Sequence, residues 1–478
     1  MNEPSEPHRP LEPSPAELRQ WIDRCAEFVV EHLGSLAEQP SWDVEGAGAL
    51  AESFSGPPPE TGAPIEGILA RLGPAVGKSF NTAGPGYLAF IPGGGIPAAA
   101  LADFMACAVN RYVGVTAAAP VLARIESVAV DWLARMMGCP ATTGGVLTTG
   151  GSLSNLIAVV TARVAKLPER FLDGTLYVSE ECHVSVSKAA RIAGFPARAI
   201  RSVAVDERFR LVPAALEAAI EEDRRCGLRP FLVVPSVGTT NTGAIDPLPA
   251  ILDIAQRHDL WVHADAAYGG FFRLAPGGEA RMPGLERCDS ITLDPHKGLF
   301  LPYGTGCLLV REPHTLLAAH RGDAGYLQDV APAEGRVNFS DLSPELSRDF
   351  RGLRLWMPIV LHGLGAFREQ LEEKLELTRW AYDQLRADPH LTLLDEPQLS
   401  IVAFSWREGP GADGNRLGAE LLRRVNARRR VFLSSTTIGG RFVLRICVLS
   451  FRTHHDRVEQ AVEAIRQEAA ALAGLTSC

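Results

Sequence analysis

No apolar run in this sequence reaches the roughly 18 residues that a membrane-spanning helix requires. The N-terminus, MNEPSEPHRPLEPSPAELRQ, is polar and proline-rich and has no apolar centre of the signal-peptide type. A basic stripe of the kind that binds nucleic acid is absent too, and the formal net charge is −9 at pH 7. Membrane and nucleic acid are therefore not expected partners, and the acidic balance suits a protein that handles small molecules. The nine cysteines are scattered singly, with no CxxC pair and no Cys/His cluster at zinc-finger spacing. Neither a disulfide framework nor a metal site is expected, and reduced thiols point to a cytoplasmic location. No GxxxxGK[ST] phosphate loop occurs, and no GxGxxG follows the first strand, which argues against a dinucleotide-dependent oxidoreductase.

What is present is length and apolar content: 478 residues, 46% hydrophobic, more than one domain's worth of core. Residues 1–15 read as a flexible lead-in. PAELRQWIDRCAEFVVEHLGSL then carries Leu18, Ile22, Phe28, Val29 and Leu33 at helical spacing. The proline-rich SGPPPETGAP connects it to a helical IEGILARL. This first part, 1–95, shows no strand pattern and is too short for its own core. It is expected to be a helical dimerisation segment packed on a second subunit. From 96 to 356, helical stretches alternate with the short β-rich runs GVLTT, TLYVS, ARAIRSVAV, FLVVPSV, LWVHADAA, SITLD and GCLLV. That alternation predicts an α/β large domain with a mainly parallel sheet covered on both faces. From 357 to 478, a long helix followed by LTLLD, SIVAFSW and FVLRICVL mixed with helices predicts a small α+β C-terminal domain.

The chemistry gathers at strand ends. In LWVHADAAYGG an apolar strand ends at Asp265, and ligands of open α/β sheets sit at the carboxyl ends of strands. The next strand, SITLD, leads into Pro295, His296 and Lys297. The two residues are 297 − 265 = 32 positions apart, one strand–connection–strand step, so both reach the same sheet edge. A lysine and a carboxylate in one crevice are what pyridoxal phosphate needs, the lysine for a Schiff base and the acid for the ring nitrogen. Singly, the acid could as well cap a helix and the lysine lie on the surface. In GGVLTTGGSLSNLIAVVTAR a strand runs through Thr148, Thr149, Gly150, Gly151 and Ser152 into a helix, a turn able to hold phosphate. His183, in VSEECHVSVSKAARIAG, could stack on a planar ring or cap its helix. Gly238, Thr239 and Thr240 place hydroxyls at another strand end, which ordinary turn chemistry also explains.

Taken together and in this order, these segments resemble the group II pyridoxal-phosphate-dependent decarboxylases, the family of aromatic amino acid, glutamate and histidine decarboxylases. The resemblance runs from PGYLAFIPGGGIPAAALADF to LRICVLSFRTHHDRV, and its most specific parts are HADAAYGG and the S-x(6)-K signature from Ser290 to Lys297 with PHK inside it. It implies a fold-type-I homodimer with the active site at the subunit interface, its N-terminal helical segment embracing the partner. It implies that Lys297 forms the Schiff base, that Asp265 pairs with the pyridinium nitrogen, and that Ala267 and His183 lie on opposite faces of the ring. Gly151 and Ser152 would hold the phosphate with His296, and Thr239 or Thr240 would support the ring or His183.

The sequence departs from that family in two places. Its substrate-pocket strand corresponds to Phe90, Ile91, Pro92 and Gly93, and Thr82 stands where aromatic-specific members have an aromatic residue. Arg111 and Tyr112 replace smaller or apolar groups, and Arg111 could bind an acidic or polar part of a substrate or serve a structural ion pair. Counting back without gaps from LSRDFRGLRLW puts Phe339 where the family's loop tyrosine donates a proton to the carbanion. Phenylalanine has none to donate. The expected activity is removal of the α-carboxylate of an L-amino acid or amino-acid conjugate. The alternatives are decarboxylation with oxidative deamination to an aldehyde, suggested by Phe339, and Cβ–S cleavage of a sulfur-conjugated amino acid.

Overall fold

The computed structural model describes residues 11–91, 93–322, 337–407 and 413–476. Residues 1–10 of the expected lead-in lie outside that range. The first helix, Pro15–Ser35, starts where the sequence predicts it. Ser14 Oγ accepts from Glu17 N, and the Glu17 carboxylate accepts from Ser14 N, a reciprocal cap reinforced by proline in the first turn. None of its residues is buried, and Leu18, Trp21, Ile22, Val29 and Val30 all face outward.

Seven strands build the large sheet: β2 (Gly144–Thr148), β3 (Gly174–Ser179), β4 (Ile200–Val203), β5 (Arg229–Val234), β6 (Trp261–Asp265), β7 (Ser290–Leu293) and β8 (Gly306–Val310), numbered after a short β1 (Tyr87–Leu88). Their spatial order is β2-β8-β7-β6-β5-β3-β4. The pairs β7–β6, β6–β5, β5–β3 and β3–β4 are parallel, while β8 runs antiparallel to both β7 and β2. Successive residues of a strand point to opposite faces. Accordingly Leu147, Tyr177, Val233, Val262 and Leu309 enter one core, and Val146, Leu176, Leu232, Trp261 and Leu308 enter another. Both faces are thus covered, the α/β arrangement expected, and near-continuous apolar strands are its signature.

The second sheet has the order β1-β11-β12-β10-β9, with β9 (Leu391–Leu393), β10 (Ile401–Trp406), β11 (Phe432–Ile438) and β12 (Arg441–Cys447). Two of its strands escape the sequence reading. Tyr87–Leu88, inside the segment that shows no strand pattern, pairs parallel with β11; two residues are too few to show a period. FLSSTTI of β11 is hydroxyl-rich, but the Gly439–Gly440 turn after it, with φ of 55° and 78°, is a hairpin signal. The long helix Gly352–Arg386 contains the boundary expected at 356/357 and breaks at Gly363, whose φ is 72°. It packs on the helices Pro97–Val109 and Pro120–Met136 at one end and on β9 and β10 at the other. Among the described residues, no helix is long and apolar enough to cross a membrane.

Candidate active site

The carboxyl ends of β2, β3, β5, β6 and β7 open on one edge of the large sheet, and the antiparallel β8 begins there at Gly306. They wall a cavity of about 300 Å³ lined by Gly151, Ser152, His183, Asp265, His296 and Lys297, with Thr239, Thr240 and Ala267 also at its surface. All nine residues expected to contact a cofactor therefore come together.

Each is aimed by local structure. After β2 the chain turns at Gly150, whose φ of 145° suits glycine, and a Cβ on Gly306 would sit 2.5 Å from the Gly150 Cα. The helix Gly151–Lys166 then starts with no side-chain cap, so its N-terminus meets the cavity as an open anion site. His296 lies beside this turn, its Nδ1–H donating to the Thr305 carbonyl at 2.6 Å. Lys297 sits in a single helical turn, and its Nζ is 2.9 Å from Asp294 Oδ2. Asp265 is buried at the end of β6; Oδ1 accepts from Ala267 N at 3.2 Å and Oδ2 from Asn155 Nδ2 at 3.1 Å. Thr239 spends its hydroxyl inside its own turn, on Thr242 Oγ1 and Ala244 N. Thr240 is half-buried at the cavity surface, and its carbonyl accepts from the buried Arg445.

His183 caps the helix Val184–Ile192 and also faces the cavity. Its Nδ1 receives Ser185 N at 3.3 Å and lies 2.7 Å from Ser185 Oγ. An Nδ1 that accepts leaves the proton of the neutral ring on Nε2. Burial lowers the pKa of both His183 and His296, and it pushes that of His263, behind the cavity on β6, down to about 4. A histidine whose folded pKa is depressed contributes stability that is complete above its ordinary value of 6.5 and is lost as the pH falls towards 4. The urea midpoint should therefore drop between pH 7 and pH 5, and His263→Gln should flatten that drop. A slope unchanged in the variant would assign the acid sensitivity to other groups.

The expected substrate residues do not line this cavity. Phe90 lies at the surface with a left-handed φ of 55°, its N–H donating to Ser434 Oγ and its carbonyl accepting from Arg445. Ile91 is half-buried against the core, Arg111 and Tyr112 are exposed, and Thr82 lines a separate cleft beside Phe28 and His32. Pro92 lies outside the described residues. Phe339 is buried in a short 3₁₀ turn, under the Arg348 guanidinium at 5.0 Å, where it lines a different cavity with Thr116 and Val337. The segment just before it, 323–336, falls outside the described residues.

Several cavity residues escaped the sequence reading: Asn155, Ser185, Ser236, Tyr268 and Asp294. Asp294 had a readable signal, since three positions before Lys297 on a helical turn is contact spacing. Its Oδ1 is buried with no hydrogen-bond partner among the described residues. An uncapped helix start, a lysine amine and a buried carboxylate around one cavity match the phosphate, the aldehyde and the ring nitrogen of pyridoxal phosphate. The residues present fit that cofactor.

Comparison with known proteins agrees. Residues 78–407 match the family model described as the pyridoxal-dependent decarboxylase conserved domain. The chain is 32% identical over 461 residues to an aromatic-L-amino-acid decarboxylase of Bacillus atrophaeus, covering 95% of this chain and 96% of that one. A crystal structure of Oryza sativa TDC with PLP and tryptamine superposes with a TM-score of 0.92 at 29% identity, covering 98% of this chain and 100% of the other. One of Rhodiola rosea 4-hydroxyphenylacetaldehyde synthase gives 0.89 at 25% identity, covering 97% and 99%. The geometry of the cavity and the extent of these matches lead to one conclusion: the chain belongs to the group II pyridoxal-phosphate-dependent decarboxylases and is an enzyme that uses that cofactor.

Proposed function

We propose that this enzyme removes the α-carboxylate of an L-amino acid with an aromatic or other large apolar side chain, acting as a homodimer. The observation that carries the reading is the placement of Lys297 and Asp265 in one cavity at the carboxyl edge of the sheet, with an uncapped helix start beside them. When bound, pyridoxal phosphate supplies an aldehyde that condenses with amines and a ring that withdraws electrons from the substrate Cα. Lys297 would hold the cofactor through its amine, which Asp294 keeps in the cavity. Asp265, fixed by two donors, would hold a proton on the ring nitrogen. His183 presents Nε2–H over one face of the site and Ala267 closes the other. Gly151, Ser152 and His296 would hold the phosphate. Thr240 would support the ring, because the Thr239 hydroxyl is committed to its turn.

Phe90, Ile91, Thr82, Arg111 and Tyr112 complete the partner's cavity and exclude water from it. In support, Phe90 and Tyr112 are exposed, and so is the apolar side of the helix Pro15–Ser35. The relatives named above carry aromatic substrates or products in their names, and Phe90 offers a ring for such a side chain to stack on.

A second reading rests on Phe339. If no acid delivers a proton to Cα after CO2 leaves, the electron-rich carbon meets O2. Substrate, O2 and water then give an aldehyde, CO2, ammonia and hydrogen peroxide. Losing a positioned acid costs about 10²–10⁴-fold in the protonation step. The deciding assay offers aromatic, acidic and sulfur-conjugated L-amino acids and follows CO2, O2 uptake, peroxide, amine and aldehyde. Release of CO2 from an aromatic substrate supports the main reading, and no CO2 from any substrate refutes it. Amine without O2 uptake refutes the oxidative reading. If that reading holds, Phe339→Tyr shifts the product ratio towards amine by about tenfold or more.

A further inference from the structure

Asp265 and His183 are each held by a neighbour, and the two neighbours meet in one amide. Asn155 Nδ2 donates to Asp265 Oδ2 at 3.1 Å and to Ser185 Oγ at 2.9 Å, and that serine hydroxyl lies 2.7 Å from His183 Nδ1. On its other side Asn155 Oδ1 is 2.9 Å from His263 Nε2 and 2.8 Å from Thr292 Oγ1. His263 Nδ1 lies 2.8 Å from Ser290 Oγ, which accepts from Trp261 Nε1 at 2.8 Å. Asn155, His263, Ser290 and Thr292 are all essentially fully buried.

The direction of every bond follows from its far end. An indole N–H can only donate. Ser290 Oγ therefore accepts from Trp261, and because the Asp265 carboxylate takes the Asn155 NH2, Asn155 Oδ1 is left to accept from His263 Nε2–H, so the bare His263 Nδ1 receives the Ser290 hydroxyl hydrogen. The neutral His263 ring then carries its proton on Nε2 and donates to Asn155 Oδ1. Asn155 must turn its NH2 towards Asp265 and Ser185; the flipped amide would set its oxygen against Asp265 Oδ2 and lose two donors. His183 Nδ1 already accepts from Ser185 N, so Ser185 Oγ, which accepts from Asn155, turns its hydrogen to the same nitrogen and the His183 proton rests on Nε2. We infer that Trp261, Ser290, His263 and Asn155 form a one-way hydrogen-bond chain that sets the orientation of Asp265 and, through Ser185 Oγ, reinforces the His183 tautomer that the Ser185 backbone N–H selects, with His263 its central positioning residue.

The fold places this chain by register. Trp261, His263 and Asp265 alternate along β6 onto one face, and β7 pairs in parallel so that Ser290 stands opposite His263 and Thr292 opposite Asp265. The helix Gly151–Lys166 covers that face and lowers Asn155 onto it. Polar groups buried there cost stability unless every partner is supplied, and these are. An apolar sheet interior would hold the fold as well, so the network serves the site above it.

The inference rests on the placement of Asp265 and His183 against the cofactor proposed above. The test compares His263→Phe, which has no donor, with His263→Gln, whose amide nitrogen stands where Nε2 stood. Both are prepared as cofactor-loaded enzyme and checked for thermal unfolding midpoint. His263→Phe should lose about 10–100-fold in kcat, with KM within about threefold, and should change the ratio of the cofactor's visible and near-ultraviolet bands. His263→Gln should keep both within about threefold of wild type. Equal impairment in the two variants, or a wild-type spectrum and kcat in His263→Phe, would overturn the chain. If His263→Phe does not fold, Ser290→Ala takes its place, and an unchanged band ratio and kcat there overturn the inference equally. A wild-type protein with no visible band that Lys297→Ala abolishes would overturn the cofactor placement itself, a distinct outcome.

Discussion

Replacing Lys297 with alanine is expected to abolish the visible cofactor absorbance and to lower turnover by roughly 10³-fold or more, because in the role proposed for it Lys297 supplies the amine that would hold the cofactor. The variant also leaves the Asp294 carboxyl, 3% exposed, without its cationic neighbour. Breaking an ion pair at a buried acid is destabilising beyond the loss of the contact itself. The thermal midpoint of Lys297→Ala should therefore fall, and adding Asp294→Asn should restore much of it without restoring colour or activity. That separates the lysine's chemistry from its part in the local structure. Retention of the visible band, or of turnover within about tenfold, in Lys297→Ala would overturn the assigned role.

The second large effect lies away from the chemistry. Arg348 and Glu126 form an ion pair with both side chains fully buried. Glu126 Oε2 also accepts from Gly352 N at 3.0 Å, and Arg348 donates to the Leu147 carbonyl at 3.0 Å while covering the Phe339 ring. One pair thus joins the helix Pro120–Met136, strand β2 and the segment that leads into the long helix at Gly352. Glu126→Ala should cost about 3–5 kcal/mol, since it strands a buried guanidinium. The double variant Glu126→Leu with Arg348→Met, which removes both charges and keeps most of the volume, should recover more than half of that loss. Urea unfolding reads both. A single variant within about 1 kcal/mol of wild type would show that the pair does not hold this junction. Phe339 rests on Arg348, so the product ratio of Glu126→Ala should be measured alongside its stability.

The legible and the illegible parts of this protein divide along physical lines. Strands β2, β3 and β5 to β8 were readable because a strand buried on both faces must be apolar almost throughout, and FLVVPSV or SITLD shows that over a few adjacent residues. Strand β1 was not, because two residues pair only when β11 is already beside them. The site divides in the same way. Asp265, Lys297, His183 and the Gly150–Ser152 turn follow strand ends, where polar residues and glycines interrupt an apolar run and so announce themselves. Asn155 sits one turn inside a helix and His263 in the middle of a strand, where a single polar residue looks like any other.

The sequence alone therefore determined the order of strands β2 to β8 and of the helices between them, from local periodicity, and the cofactor, through the family resemblance that the segments around Gly151, His183, Asp265 and Lys297 carry together. Only the tertiary structure decided that Asn155 would meet His263 and Asp265, partners 108 and 110 positions away along the chain. It also decided that Phe339 would lie under Arg348 and not against Lys297 in the same chain. Hydrogen bonds and ring contacts act over about 3–6 Å. No local pattern encodes which distant residues are brought that close; the pairing register of β6 with β7 and the rotation of the helix above them set it.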